Sequence, residues 1–435
     1  MNSLPTADPY LPDHGDPSWS AEHYDVHLGY DLERNHLRGQ ATIRAHAVDD
    51  VSRVVLDLAH LRANKVLLDG KAPRHTSRGH RLVVTPAKTI AAGTTFELRI
   101  TYDGKPKPLM DKHHEDAGWE ELTDGVIVAG QPHGAPTWFP CNDRPDNKAS
   151  YTLTVTAPHD YTVVANGTLS SRRRGSSATT WVYEQDEPMA TYLATVQIGR
   201  YDVRELGTDP PLLAAIPADA GDGFEAAFGR NAEMLETFSG LFGPYPNPTY
   251  SVVVTDDDLE IPLESQSLST FGRNFMTGDW DCVRLVAHEL AHQWFGNAVT
   301  LRRWQDIWLH EGFACYSEWL WSEASGGDSA DQWAEHHHER LAELDQDLVL
   351  ADPGPALMFD DRVYKRGALT LHALRRTVGD DAFFDLLKTW VATHSGGNVV
   401  SADFVSMAVE RTGADLSDLF VAWLHQAPLP ELPAL

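Results

Sequence analysis

The sequence is short of cysteine, of basic residues and of long apolar runs, and each shortage removes a class of protein. Cys141, Cys282 and Cys315 are the only three cysteines in 435 residues. An odd, widely spaced set makes no disulfide framework, so stability has to come from buried apolar surface. Only 35 Lys and Arg stand against 63 Asp and Glu, a formal charge of −28. That charge repels a phosphate backbone and an anionic lipid face alike, so neither nucleic acid nor membrane is an expected partner. No stretch reaches the roughly eighteen continuous apolar residues of a membrane span. The first residues, MNSLPTADPYLPDHGDPSW, have no basic start and no apolar segment. No secretory signal is visible there, and the cytosol is the expected compartment.

Material for a core is plentiful, with 42% hydrophobic residues and 13 tryptophans. The length exceeds what one core usually serves, and the pattern changes near residue 205. Before that point the segments alternate. In TTFELRITYDG, Phe96, Leu98, Ile100 and Tyr102 face one way while Glu97, Arg99 and Thr101 face the other, as in a half-buried strand. Similar strands are predicted at Tyr151 to Ala157, Tyr161 to Ala165 and Thr191 to Ile198, with turns at Asp103-Gly104 and Asn166-Gly167. Beyond it a helical period sets in. Phe224, Phe228, Leu235, Phe238 and Leu241 share one face before Gly243-Pro244. Later helices are expected over Gly367 to Val378 and from an N-cap at Ser401 to Gly413. The fold class is therefore α+β: an antiparallel β domain over residues 1–205, then a mainly helical domain over residues 206–435.

Chemistry concentrates in VAHELAHQWFGN, Val286 to Asn297. Val283, Val286, Ala287, Leu290 and Trp294 repeat at helical spacing, so His288 and His292, four residues apart, share a face. Two imidazole nitrogens so placed can bind one cation at roughly 2.0 to 2.1 Å, with Glu289 beside them but outside the ligand set. A catalytic zinc needs a third protein ligand. DIWLHEGFACYSEWLW offers Glu311 on a second predicted helix, eighteen residues intervening after His292. Three protein ligands leave one position open, the arrangement of a catalytic rather than a structural zinc. The histidine runs EHHHER (Glu335 to Arg340) and KHHED (Lys112 to Asp116) show no partner spacing and read as solvated charged faces.

HELAHQWFGN followed at this interval by WLHEGFA resembles the zinc aminopeptidases of the alanyl aminopeptidase and leukotriene A hydrolase family, of the gluzincin type. Gln131, then PCNDRP (Pro140 to Pro145), PMATYL (Pro188 to Leu193), LFGPYP (Leu241 to Pro246) and VYKRGALTLHALR (Val363 to Arg375) stand in the family's order. The resemblance runs from about residue 20 to the end. It implies a thermolysin-like catalytic domain with one zinc on His288, His292 and Glu311, and Glu289 as general base. It implies further that Tyr364 stabilises the oxyanion, and that Glu264, assisted by Gln131, receives the α-amino group of a peptide with a free N-terminus. The chain departs from the family at Ile261, Leu263 and Ser265, around Glu264, and at His310, where asparagine is common. LFVAWLHQAPLPELPAL resembles the close of the catalytic domain, after which most members continue. A two-domain form is thus expected, its cleft open or closed by a second copy in a homo-oligomer. Three functions stay in play: an aminopeptidase, an endopeptidase or epoxide hydrolase on the same metal core, and a silent zinc-stabilised binding module. The presence of both Glu289 and Tyr364 favours catalysis, since neither is needed to hold a metal.

Overall fold

A computed structural model describes residues 8–114 and 116–434. The chain divides into two compact units, the first made of residues 1–219 and 247–273, the second of 220–246 and 274–435. The change of pattern near residue 205 thus falls inside the first unit, which extends into later sequence.

The first unit is built on β-sheets. Its largest has seven strands in the order Thr168–Arg174, Ala178–Met189, Ala149–Pro158, Trp19–Asp31, His36–Ala47, Thr95–Gly104 and Leu61–Leu68. Adjacent strands run antiparallel except Trp19–Asp31 and Ala149–Pro158, which are parallel. More than a hundred residues separate that pair, so no tight turn dictates its direction. Alternation behaves as the sequence predicts: Phe96, Leu98, Ile100 and Tyr102 are buried. The segment Thr191 to Ile198 does not form one strand. Thr191–Leu193 is a 3-10 turn, and only Val196–Gly199 is extended. Asn166 explains the break. Its amide donates to the carbonyls of Leu193 (2.9 Å) and Gln266 (2.7 Å) and accepts from the amide of Thr195 (2.6 Å), holding the turn by side-chain bonds that alternation cannot reveal. Gly167, at φ 79°, lets the chain pass from one sheet to another. A Cβ there would lie 2.1 Å from the carbonyl oxygen of Glu184.

A five-stranded sheet, ordered Tyr201–Glu205, Leu212–Pro217, Tyr250–Val254, Leu268–Phe271 and Leu263–Ser265, also belongs to this unit. Val253, Leu268 and Ala215 form its buried centre together with Val164.

The second unit is helical: α1 (Gly221–Phe228), α2 (Asn231–Phe242), α3 (Trp280–Ala291), α4 (Trp308–Ala324), α5 (Ala330–Ala342), α6 (Asp361–Val378), α7 (Asp380–His394), α8 (Ser401–Thr412) and α9 (Ser417–His425). The apolar stripe from Phe224 is split between α1 and α2, because Gly229 and Arg230 interrupt the helix. Phe242 takes the buried place expected of Leu241. α6 starts earlier than its apolar pattern, capped by the Asp360 side chain, and stops at Gly379 as predicted. Ser401 is the first residue of α8 rather than its cap, and Gly413, left-handed at φ 67°, ends it. No helix among the described residues is long and apolar enough to cross a membrane.

Candidate metal centre and active site

α3 is capped by Asp279, whose side chain accepts from the amide of Cys282, and it ends at His292. Its last turn carries His288, Glu289 and Leu290, all buried. Below it, the Trp294 indole donates to the carbonyls of Gly243 (3.0 Å) and Pro244 (3.2 Å), so LFGPYP serves as the anchor of this helix end. Gly296 follows at φ 123°, and a Cβ there would lie 3.2 Å from His292 Nδ1.

α4 brings Glu311 to the two histidines. Its carboxylate Oε2 lies 3.4 Å from Nε2 of His288 and 3.4 Å from Nε2 of His292. One ligand atom from each residue falls within 4.8 Å of the others, a group able to hold a metal ion. The opposite ring nitrogens are already engaged. His288 Nδ1 donates to Glu318 Oε1 at 2.8 Å, and His292 Nδ1 donates to the Phe295 carbonyl at 3.0 Å. Those bonds leave each Nε2 on the side of Glu311. Burial pushes the Glu311 carboxyl up, but His292 and His288 outweigh it and hold the group well below the usual carboxylate range. Glu318 is likewise held down, to about 2, because Lys365, His288 and Arg284 together overcome its burial. Two buried carboxylates ionised around two imidazoles form a well for a divalent cation, and the mixed nitrogen and oxygen donors suit zinc.

α6 completes the group. Tyr364 stacks on the His288 ring, with centroids 6.0 Å apart and planes at 19°. Contact between α4 and α6 is close because both carry glycine where they cross: a Cβ on Gly312 would lie 2.7 Å from the Cα of Gly367. Glu311 precedes one glycine and Tyr364 lies one turn before the other, so this crossing positions both. Lys365 donates to Cys315 Sγ at 3.3 Å and approaches Glu318 at 4.0 Å.

His310, the departure noted beside Glu311, faces elsewhere. Its Nε2 accepts from the backbone amide of Leu301 at 2.8 Å, and the residue is buried. Glu264 and Gln131 belong to the first unit, whereas His288, Glu289, His292, Glu311 and Tyr364 belong to the second. Glu264 is buried on Leu263–Ser265, paired across from Ser269. Gln131 opens a turn whose Gly130 abuts Tyr192, since a Cβ there would lie 2.2 Å from the Tyr192 carbonyl. The PCNDRP and PMATYL motifs are scaffold. Asp143 accepts from Thr191 Oγ1 at 2.8 Å, and Asn142 donates to the carbonyls of Asp16 (3.1 Å) and Trp19 (2.9 Å). Sequence reasoning missed Glu318. Its signal was available, seven residues after Glu311 and so two turns along the same face of α4.

Residues 20–193 match the Peptidase M1 N-terminal domain, and residues 226–423 match the Peptidase family M1 domain. Among solved structures, the M1 zinc metallopeptidase of Deinococcus radiodurans is 31% identical, with a TM-score of 0.90 over 99% of each chain. The chain belongs to peptidase family M1. A point variant of the Deinococcus M1 enzyme, bound to a Tyr-Ser-Ala substrate, gives a TM-score of 0.91 at 31% identity over 99% of this chain and 100% of that one. The aminopeptidase N of Lactococcus lactis is 25% identical over 96% of this chain and 52% of its own length. The leucyl aminopeptidase of Saccharolobus solfataricus is 25% identical over 94% of this chain and 53% of its own. This M1 chain spans about half the length of the curated relatives it matches. In this chain His288, His292 and Glu311 form a group that could hold such a metal ion.

Proposed function

We propose that this chain is a zinc aminopeptidase that releases N-terminal residues one at a time from peptides. The observation that carries the reading is the convergence of two Nε2 atoms on Glu311 Oε2, each 3.4 Å away, while both Nδ1 atoms are bonded elsewhere. His288, His292 and Glu311 are assigned as the zinc ligands. Zinc supplies Lewis acidity toward water and the peptide carbonyl. Glu289, buried on α3 between the two histidines, takes a proton from the attacking water and passes it to the leaving amine. Tyr364 donates its phenol to the carbonyl oxygen as negative charge develops there. Glu264, with Gln131, receives the substrate's ammonium, an assignment that rests on the family motif and on charge complementarity.

Residues 206–435 are taken as the catalytic part and residues 1–205 as the β domain. The matches over 20–193 and 226–423 support that division. We place the enzyme in the cytosol, acting on peptides with a free N-terminus, apart from nucleic acid and membrane. The formal charge of −28 supports those exclusions. A homo-oligomer is also proposed; light scattering checks it, and a monodisperse monomer contradicts it. The activity test is release from a panel of aminoacyl fluorogenic amides, each free or N-acetylated, before and after chelation. Chelator-sensitive turnover confined to the free amines is expected. Equal turnover of acetylated substrates would replace the reading with an endopeptidase.

A further inference from the structure

We propose that the first unit holds a second zinc site, made by Asp111, His114 and His133. The KHHED run, read in sequence as a solvated face, is in part not solvated: the His114 ring is 1% exposed. The missing partner comes from elsewhere in the chain. His133 lies in the turn after strand Gly125–Ala129, and the fold brings it to the connector that follows Thr95–Gly104. Ligand atoms of Asp111, His114 and His133 lie within 4.8 Å of one another.

Two observations indicate a cation here. The first is the donor geometry: His114 Nδ1 stands 2.9 Å from Asp111 Oδ1, which also accepts from the backbone amide of His113 at 2.9 Å. Bonds of 2.0 to 2.1 Å in a tetrahedral site put donors about 3.4 Å apart, so binding asks each ligand to shift by about 1 Å or less. The second is His133 itself. The residue is 1% exposed, yet neither ring nitrogen has a hydrogen-bond partner. A buried imidazole with both nitrogens unbonded is destabilising, and one nitrogen is recovered if it binds a metal. The His14 ring packs against it at 5.8 Å and backs it from one side. Two imidazoles and a carboxylate suit a zinc-class divalent ion, with solvent in the remaining position. Asp111 is the exposed member, so the site opens to solvent there. Its role is a clasp, joining the connector at 105–114 to the turn at 130–134.

The test counts zinc per chain by elemental mass spectrometry on the full chain, after dialysis against a competing chelator. Wild type is expected to retain two zinc ions per chain, and D111N and H133Q one each. H292F, which removes a ligand of the other site, is expected to retain one, and the H133Q/H292F double variant none. An unchanged count in D111N and H133Q relative to wild type overturns the proposal, whatever H292F does. Should H133Q fail to fold, D111N decides alone, because that carboxylate is at the surface and its loss removes no core packing. Added zinc should also raise the melting temperature of H292F, and not that of D111N/H292F.

Discussion

Glu318 accepts a hydrogen bond from His288 Nδ1 at 2.8 Å, although the two residues lie on different helices. The bond fixes which nitrogen of His288 faces Glu311, and it makes the ring more basic toward a cation. Glu318 in turn is surrounded by Arg284 at 3.2 Å and Lys365 at 4.0 Å, which keep it ionised.

Loss of such an outer partner typically costs about 10- to 100-fold in metal affinity. E318A is therefore expected to bind zinc more weakly by that order while keeping all three ligands. Competition against a fluorescent zinc chelator measures it. Affinity equal to wild type would show that His288 is oriented without Glu318.

G312A tests the helix crossing that aligns Glu311 with Tyr364. A methyl group 2.7 Å from the Gly367 Cα has only backbone to displace. Overpacking of this kind costs about 1–3 kcal/mol. A lower denaturation midpoint is expected, together with a larger fall in turnover than the stability loss alone produces. A variant as stable and as active as wild type would mean that the crossing tolerates a wider separation.

Much of this centre was legible in the sequence. His288 and His292 are four apart on a helix, and the interval to Glu311 is a local count, so spacing alone reaches all three. The strand at Thr95–Gly104 was legible for the same reason: one face is buried and the other is not. Contacts that depend on distant segments were not legible. Asn166 breaks the predicted strand at Thr191 through bonds to residues as far away as Gln266, and no periodicity records them. His133 was passed over because its partners lie about twenty residues earlier in a different connector. The parallel pair Trp19–Asp31 and Ala149–Pro158 has no turn to announce it.

Acid sensitivity follows from two buried histidines. Burial chiefly, with nearby cations, lowers His372 to about 4 and His337 to about 3, against an ordinary value of 6.5. The unfolded chain then takes up protons that the folded chain refuses. Their contribution is intact above pH 6.5 and is lost as pH falls from there toward about 4. Denaturant midpoints measured between pH 7 and pH 4.5 should fall, and H372Q should fall less steeply than wild type. Equal slopes in the two proteins would refute the assignment to His372.

Glu289 and Tyr364 are predicted to affect rate rather than metal content. E289Q should lose about 10²- to 10⁴-fold in turnover as a removed general base, and Y364F about 10²- to 10³-fold as a removed oxyanion donor. Zinc content should stay at the wild-type value in both. A fall in zinc content matching the fall in rate would reassign either residue to holding the metal.

The most direct measurement is anomalous scattering across the zinc absorption edge from crystals of the full chain. The expected result is a peak bonded to Nε2 of His288, Nε2 of His292 and a Glu311 carboxylate oxygen, with one coordination position left to solvent. A vacant cluster in zinc-replete crystals, or a fourth protein ligand closing the site, would contradict the assignment of a catalytic zinc.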